Sequence, residues 1–218
     1  MNNIQPIENS EYIIQIADES HFHLAQTICD EMESSARIRK TGIAKRSPLY
    51  IQEKMIEGKA IIAQTKDGKW AGFCYIETWD HGEFVANSGL IIHPEHRKSG
   101  LARNIKKRAF ELSRKKYPNA KIIGLTTSLA VMKINSDLGY IPVPFSELSK
   151  VEDSEVSAVI RQRVIAAREI QAERYKDVEG IYANAQMSSK QLKEICVISQ
   201  AGQTLLKAAM DKLNLSAR

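Results

Sequence analysis

Short apolar runs alternate with amphipathic stretches through the first two thirds of the chain, and the alternation then stops. Tyr12-Ile13-Ile14-Gln15-Ile16 reads as a strand. Leu24, Ile28 and Met32 recur at helical spacing, which predicts a helix from His21 to about Arg37 with Ser20 as N-cap. Pro48 at an early helical position, with Leu49, Met55 and Ile56 after it, predicts a second helix that stops at Gly58. Residues 60–63 and 70–77 are apolar runs around Lys66-Asp67-Gly68-Lys69, a hairpin signal. A strand over 84–92, a long helix from about Gly100 to Lys116 and a strand over 121–126 follow. A short helix from Leu129 to Leu138 ends at Gly139. The last short strand, 141–145, holds two prolines, which assigns it to a sheet edge. The order is that of an α/β fold with a mixed central sheet and flanking helices.

Composition adds a boundary. Both tryptophans, all five phenylalanines and five of the seven tyrosines precede residue 150. Beyond the polar stretch 146–154 the chain is rich in Ala, Glu, Arg, Gln and Lys. Val156, Ile160, Val164 and Ala167 share one face of a helix expected over 154–175, and two more are expected over 188–195 and 201–213. A first domain of 1–150 and a small all-α tail of 151–218 are therefore expected. Of the 218 residues, 43% are hydrophobic and 26% charged, as in globular proteins generally. No apolar run reaches the roughly 18 residues of a membrane span, and the N-terminus lacks the basic and apolar regions of a signal peptide. Cys29, Cys74 and Cys196 are too far apart for a disulfide framework or a clustered metal site, so reduced thiols, a cytoplasmic location and no metal are expected. The formal net charge of +5 is small and spread out. Lys106, Lys107, Arg108, Arg114, Lys115 and Lys116 lie on the long helix, with few aromatics beside them to form a stacking platform. A solvated helix face is expected there, with no nucleic-acid or membrane partner.

Candidate chemistry concentrates where the strand over 84–92 gives way to the long helix. The sequence there is Glu95-His96-Arg97-Lys98-Ser99-Gly100-Leu101-Ala102-Arg103-Asn104. A helix N-terminus offers unpaired amides and a partial positive charge, hence a site for an anion. Gly100 and the small Ala102 let a phosphate approach the backbone, Arg97 and Lys98 add charge, and Ser99 can cap the helix or donate its hydroxyl. An ordinary capped helix with a basic face fits the same spacing.

The stretch His93 to Ala102, after a strand and before a long helix, resembles the pyrophosphate-binding signature of the GNAT family of N-acetyltransferases, Arg/Gln-x-x-Gly-x-Gly/Ala. Leu138-Gly139-Tyr140-Ile141-Pro142-Val143 is similar to the family's Leu-Gly-Phe-x-x-Val ending, and the element order agrees over roughly 10–147. The resemblance implies acetyl-coenzyme A as cofactor, held by Arg97, Lys98, Ser99, Gly100, Leu101, Ala102 and Arg103, with Leu90 and Ile92 pairing with the pantetheine arm. It implies acetyl transfer to a small amine, with a carboxylate or histidine as base; Glu77 and His81 are the candidates, with Glu83 behind them. The family's tyrosine acid falls at Asn135, a cofactor-side position where this chain departs from the pattern. The resemblance places the acceptor site at the loop after the first helix, where Arg37, Arg39, Lys40, Lys45 and Arg46 crowd together. Arginines bind carboxylates bidentately, so an acidic amino acid such as glutamate suits Arg37, Arg39, Lys45 and Arg46. Segments 33–37, 41–46 and 130–140 are also similar to bacterial acetyltransferases associated with arginine biosynthesis. Residues 181–190 and 213–218 resemble the C-terminal lid of magnesium-chelatase-like AAA+ ATPases of the ComM type, in truncated form, and no phosphate-loop motif accompanies them. The competing expectation is a non-catalytic module that senses acetyl-coenzyme A or docks its tail on an ATPase. A homodimer is compatible with either.

Overall fold

Lys66-Asp67-Gly68-Lys69 turns the chain as its sequence predicts. Gly68 takes a φ of 84°, and the Thr65 amide donates to the Lys69 carbonyl at 2.9 Å. The turn joins β3 (Ala60–Thr65) to β4 (Trp70–Trp79), which pair antiparallel with a register shift at Ala63/Gln64. The structure is a computed structural model that describes residues 6–8, 11–38, 45–126, 128–144 and 195–199. The chain divides into two compact units, Met1–Glu77 with Val85–Asn119, and Thr78–Phe84 with Ala120–Arg218.

In the first unit β1 (Ile7–Glu8), β2 (Tyr12–Ile16), β3, β4 and β5 (Phe84–Ile92) lie in that order. Helix α1 (Ala25–Ile38) follows a 3-10 turn (Glu19–Leu24) and packs on α2 (Pro48–Ile56). Asp18, not the expected Ser20, caps the turn: its carboxylate accepts from the Ser20 amide at 3.0 Å and contacts His21 Nδ1 at 2.9 Å. The reciprocal arrangement satisfies two amides that a hydroxyl at Ser20 would have left to water. Ser47 caps α2 through the Tyr50 amide, with Pro48 inside the first turn.

Period-two alternation sends neighbouring strand residues to opposite faces, and the central strands are buried on both. Ala60, Ile62, Phe73 and Tyr75 join Ile28, Met32, Ile51 and Met55 in one core cluster. Helix α3 (Leu101–Lys116) packs against β3 and β2, and approaches β4 so closely that a Cβ on Gly72 would lie 2.7 Å from Ile105 Cδ1. The expectation of a wholly solvated basic face on α3 is corrected here. Lys106 and Arg108 are 2% and 7% exposed; Arg108 reaches Glu111 at 3.1 Å, and burial pushes the Lys106 ammonium below its ordinary value.

The second unit contains β6 (Lys121–Leu125), α4 (Leu129–Asp137), β7 (Tyr140–Pro144) and β8 (Ile195–Ser199), with strand order β6-β8-β7. Ser128 caps α4, and Gly139 leaves it with a φ of 84°. Strand β7 lies at the edge, where the prolines' missing N–H groups cost no ladder bond. The expected all-α tail needs correction, because β8 belongs to it. β8 pairs antiparallel with β6 (Gly124 opposite Val197) and with β7 (Ile141 opposite Ile198). Three β-branched residues in four, Ile195, Val197 and Ile198, favour that choice over the helix end expected at Ile195. The helices expected over 154–175 and 201–213 lie outside the described residues.

Candidate active site

Strand alternation places Tyr75 and Glu77, two residues apart on β4, on one face. Helix α2 brings Tyr50 to the same place, where its hydroxyl donates to Glu77 Oε1 at 2.8 Å. The Tyr75 hydroxyl also bonds to Glu77 and accepts from Arg46 Nε. The rings of Tyr50 and Tyr75 meet edge to face at 5.8 Å, and the Arg46 guanidinium lies 5.5 Å from the Tyr75 centroid. Glu77 is only 9% exposed. Burial is the main reason both phenols sit well above the ordinary tyrosine value, and the neighbouring Glu77 pushes the same way. Both hydroxyls therefore remain protonated donors, and the buried carboxylate rests on a relay running from Arg46 through Tyr75, with Tyr50 on its other side.

Arg46 also borders a cavity of about 110 Å³ whose walls include Asp30, Glu33 and Cys29 from α1 and Lys45 beside Arg46. Two acidic and two basic residues thus share its lining. Arg37 is paired with Glu33 at 3.4 Å, its side chain 78% exposed. Arg39 lies outside the described residues. Of the four cations expected at the acceptor site, Lys45 and Arg46 are brought to the cavity.

Gly89 gives β5 an interruption that shapes the same region. Its φ is 64°, and a Cβ there would stand 2.2 Å from Tyr75 Cε1. Only glycine permits both the left-handed backbone and the close approach of the Tyr75 ring.

The loop before α3 contains two left-handed residues, Lys98 (φ 66°) and Gly100 (φ 82°). Space is open where a Gly100 Cβ would project. Among the described residues the amides of Lys98, Ser99, Gly100 and Ala102 donate to no backbone acceptor, while the Leu101 amide is capped by Ser99 Oγ at 3.3 Å. Successive amides in such a turn form a concave donor set that suits an anion, so these residues fit the pyrophosphate of acetyl-coenzyme A. Arg97 is differently employed. Its amide donates to the Pro94 carbonyl, and its guanidinium donates to Ile92 O at 3.2 Å, Glu31 at 2.8 Å and Ser35 at 2.7 Å. It pins the loop to α1. Leu101 contributes a buried side chain, Arg103 is exposed on the first turn of α3, and Leu90 is half-buried on β5.

His81 and Asn135 belong to the second unit. His81 is exposed and left-handed (φ 54°) in the 3-10 turn Asp80–Gly82, and Glu83 is exposed with its carbonyl accepting from the Lys121 amide. Asn135 is fully buried, with neither side-chain polar atom hydrogen-bonded among the described residues; a Cβ on Gly124 would stand 2.8 Å from its Nδ2.

Sequence reasoning missed Tyr50 and Tyr75. The signal for Tyr75 was present, because a tyrosine two residues before a candidate base on one strand must share its face. Tyr50 had none, since its role depends on how α2 docks.

Comparison with known proteins identifies the fold. The family model described as the acetyltransferase (GNAT) family matches residues 26–133, and that of the magnesium chelatase subunit ChlI C-terminal region matches 154–218. No curated protein matches significantly. N-acetylglutamate synthase from Neisseria gonorrhoeae, solved with coenzyme A and N-acetyl-glutamate, superimposes with a TM-score of 0.53 at 11% identity. That likeness covers 88% of this chain but only 35% of the synthase. Rv2747 from Mycobacterium tuberculosis, solved with CoA and NLQ, gives 0.53 at 13% identity over 85% of this chain and 97% of its own. The yncA protein of Salmonella typhimurium, solved with its cofactor acetyl-CoA, gives 0.51 at 16% over 62% and 84%. At these identities the likenesses speak for the fold, and the family model speaks for the domain. Residues 26–133 are thus similar to the acetyltransferase (GNAT) family, and the fold is the one seen in proteins solved with coenzyme A or acetyl-CoA.

Proposed function

We propose that this acetyltransferase acylates the amino group of a small acidic amino acid, with glutamate the leading acceptor. The observation that carries the reading is the junction at Arg46, which joins a charge-balanced cavity to the buried Glu77 carboxylate through Tyr75. Bound acetyl-coenzyme A supplies the thioester carbonyl. Glu77 accepts the proton that an ammonium must shed before its nitrogen can attack. Tyr50 and Tyr75 hold the carboxylate in place by donating to it, and Arg46 fixes Tyr75 from behind. Lys45 and Arg46 receive the acceptor's carboxylates, a buried carboxylate needing charged, hydrogen-bonding partners to offset its desolvation. Asp30 and Glu33 in the same lining temper the positive field, which favours an amine-bearing acid over a simple anion. The amides of Lys98, Ser99, Gly100 and Ala102 take the cofactor's pyrophosphate, and Leu90 and Ile92 lie along its pantetheine arm. Arginine biosynthesis is the metabolic setting that fits such an acceptor, and the cytoplasm its compartment.

Thioester consumption measured against free amino acids, polyamines and lysine peptides tests this. Glutamate should be turned over, and Arg46→Met should raise its KM about a hundredfold, the order expected for losing one partner of a bound carboxylate, with little change for acetyl-coenzyme A. Turnover of a polyamine in place of glutamate would overturn the acceptor assignment.

A further inference from the structure

We propose that His93, Glu95 and His96 form a binding site for a divalent transition-metal ion, zinc being the representative. The three sit in sequence as His93-Pro94-Glu95-His96, folded into a short 3-10 turn, and one ligand atom from each lies within 4.8 Å of the others. Two imidazoles and a carboxylate are a donor set for zinc and its late first-row neighbours, with at least one further coordination position left for water.

The two rings are held from outside the turn. The Tyr12 hydroxyl, on β2, meets His96 Nδ1 at 3.2 Å and its ring stands edge-on to the imidazole at 5.5 Å. This engages one nitrogen of the ring and leaves Nε2 for an ion, the arrangement that outer partners give to ligating histidines. Trp70, on β4 and 6% exposed, stands edge-on to His93 at 5.7 Å. The histidine rings themselves are 5.7 Å apart. Glu95 is the exposed member, its side chain 82% exposed and 3.9 Å from His93 Nδ1. Ligands at the usual 2.0–2.1 Å from zinc lie about 3.3 Å apart in a tetrahedron, so closure needs a shift of roughly 1 Å or more. Lys69 is paired with Asp67 at 2.8 Å. Cysteine spacing carries no signal for such a site. This set has no cysteine, and its geometry depends on Tyr12 and Trp70, distant in sequence.

Zinc titration of the full chain in competition with a chromophoric chelator, together with cobalt absorption in the visible, tests the proposal. One equivalent should bind, and cobalt should develop ligand-field bands. The double variant His93→Gln/His96→Gln should lose both. Glu95→Gln, at an exposed position, should keep the native circular dichroism and bind zinc at least tenfold more weakly. Tyr12→Phe should weaken binding by about tenfold or more, the effect of removing an outer partner. Absence of stoichiometric binding, or unchanged affinity in the double variant or in Glu95→Gln, overturns the proposal.

Discussion

Glu77 is the residue on which the chemistry turns. It sits on the most buried strand, and its carboxylate is met by two hydroxyls that stay protonated. Glu77→Gln keeps the shape and removes the proton acceptor. Turnover should slow by a factor of roughly a hundred to ten thousand, the range for a positioned general base, with KM for acetyl-coenzyme A little changed. Steady-state kinetics in both substrates checks it, and a variant as fast as the parent removes Glu77 from the mechanism. The phenols make a separate claim about stability. Both have folded-state values raised above that of an exposed tyrosine, about 10. Their contribution is fully present below pH 10 and is lost as pH rises beyond it, because the unfolded chain ionises first. Melting temperature should therefore drop across pH 10–12, and the drop should be shallower in Tyr50→Phe/Tyr75→Phe.

At the scale of elements, the turn into α3 was the most legible part of the chain. A glycine between cations before an amphipathic helix suits an anion site or an ordinary capped helix alike, and the structure gives Gly100 a φ of 82° with open space beyond. Gly100→Val should abolish acetyl-coenzyme A binding in calorimetry while leaving the far-ultraviolet spectrum intact. A β-branched side chain is strained at that φ and fills the space a phosphate needs. Retained affinity would move the pyrophosphate elsewhere. The contacts of Arg97 are not legible in the sequence, for a physical reason. Its partners Glu31 and Ser35 lie on α1, more than sixty residues earlier, and no local pattern reports an ion pair across that separation. Lys106 illustrates the same limit, since a lysine in a basic run looks solvated until the helix is placed on its sheet.

For the whole molecule, composition and hydrogen bonding divide the chain differently. Aromatic content changes near residue 150, which suggests a removable tail, yet β8 supplies the strand between β6 and β7. Periodicity could not reveal this, because a five-residue apolar run is equally compatible with a buried strand and with part of a helix. A chain ending at Lys150 should melt at a lower temperature than the full chain and show greater aggregation in light scattering, since β6 and β7 would each lose a partner and expose an edge. Equal melting temperatures and a monodisperse product would mean that β8 adds nothing to the fold.

The position of β8 also bears on the order of events during synthesis. Strand β7 ends at Pro144, and β8 begins only at Ile195. A ribosome must therefore add the whole of 145–194 before β6 and β7 can close onto their shared neighbour. Non-local pairing of this kind is slow, and a nascent chain passes through a period with two bare strand margins. Dependence on holding chaperones should be concentrated in that interval of translation, after the first unit has its strands and helices and before residue 199 has left the exit tunnel.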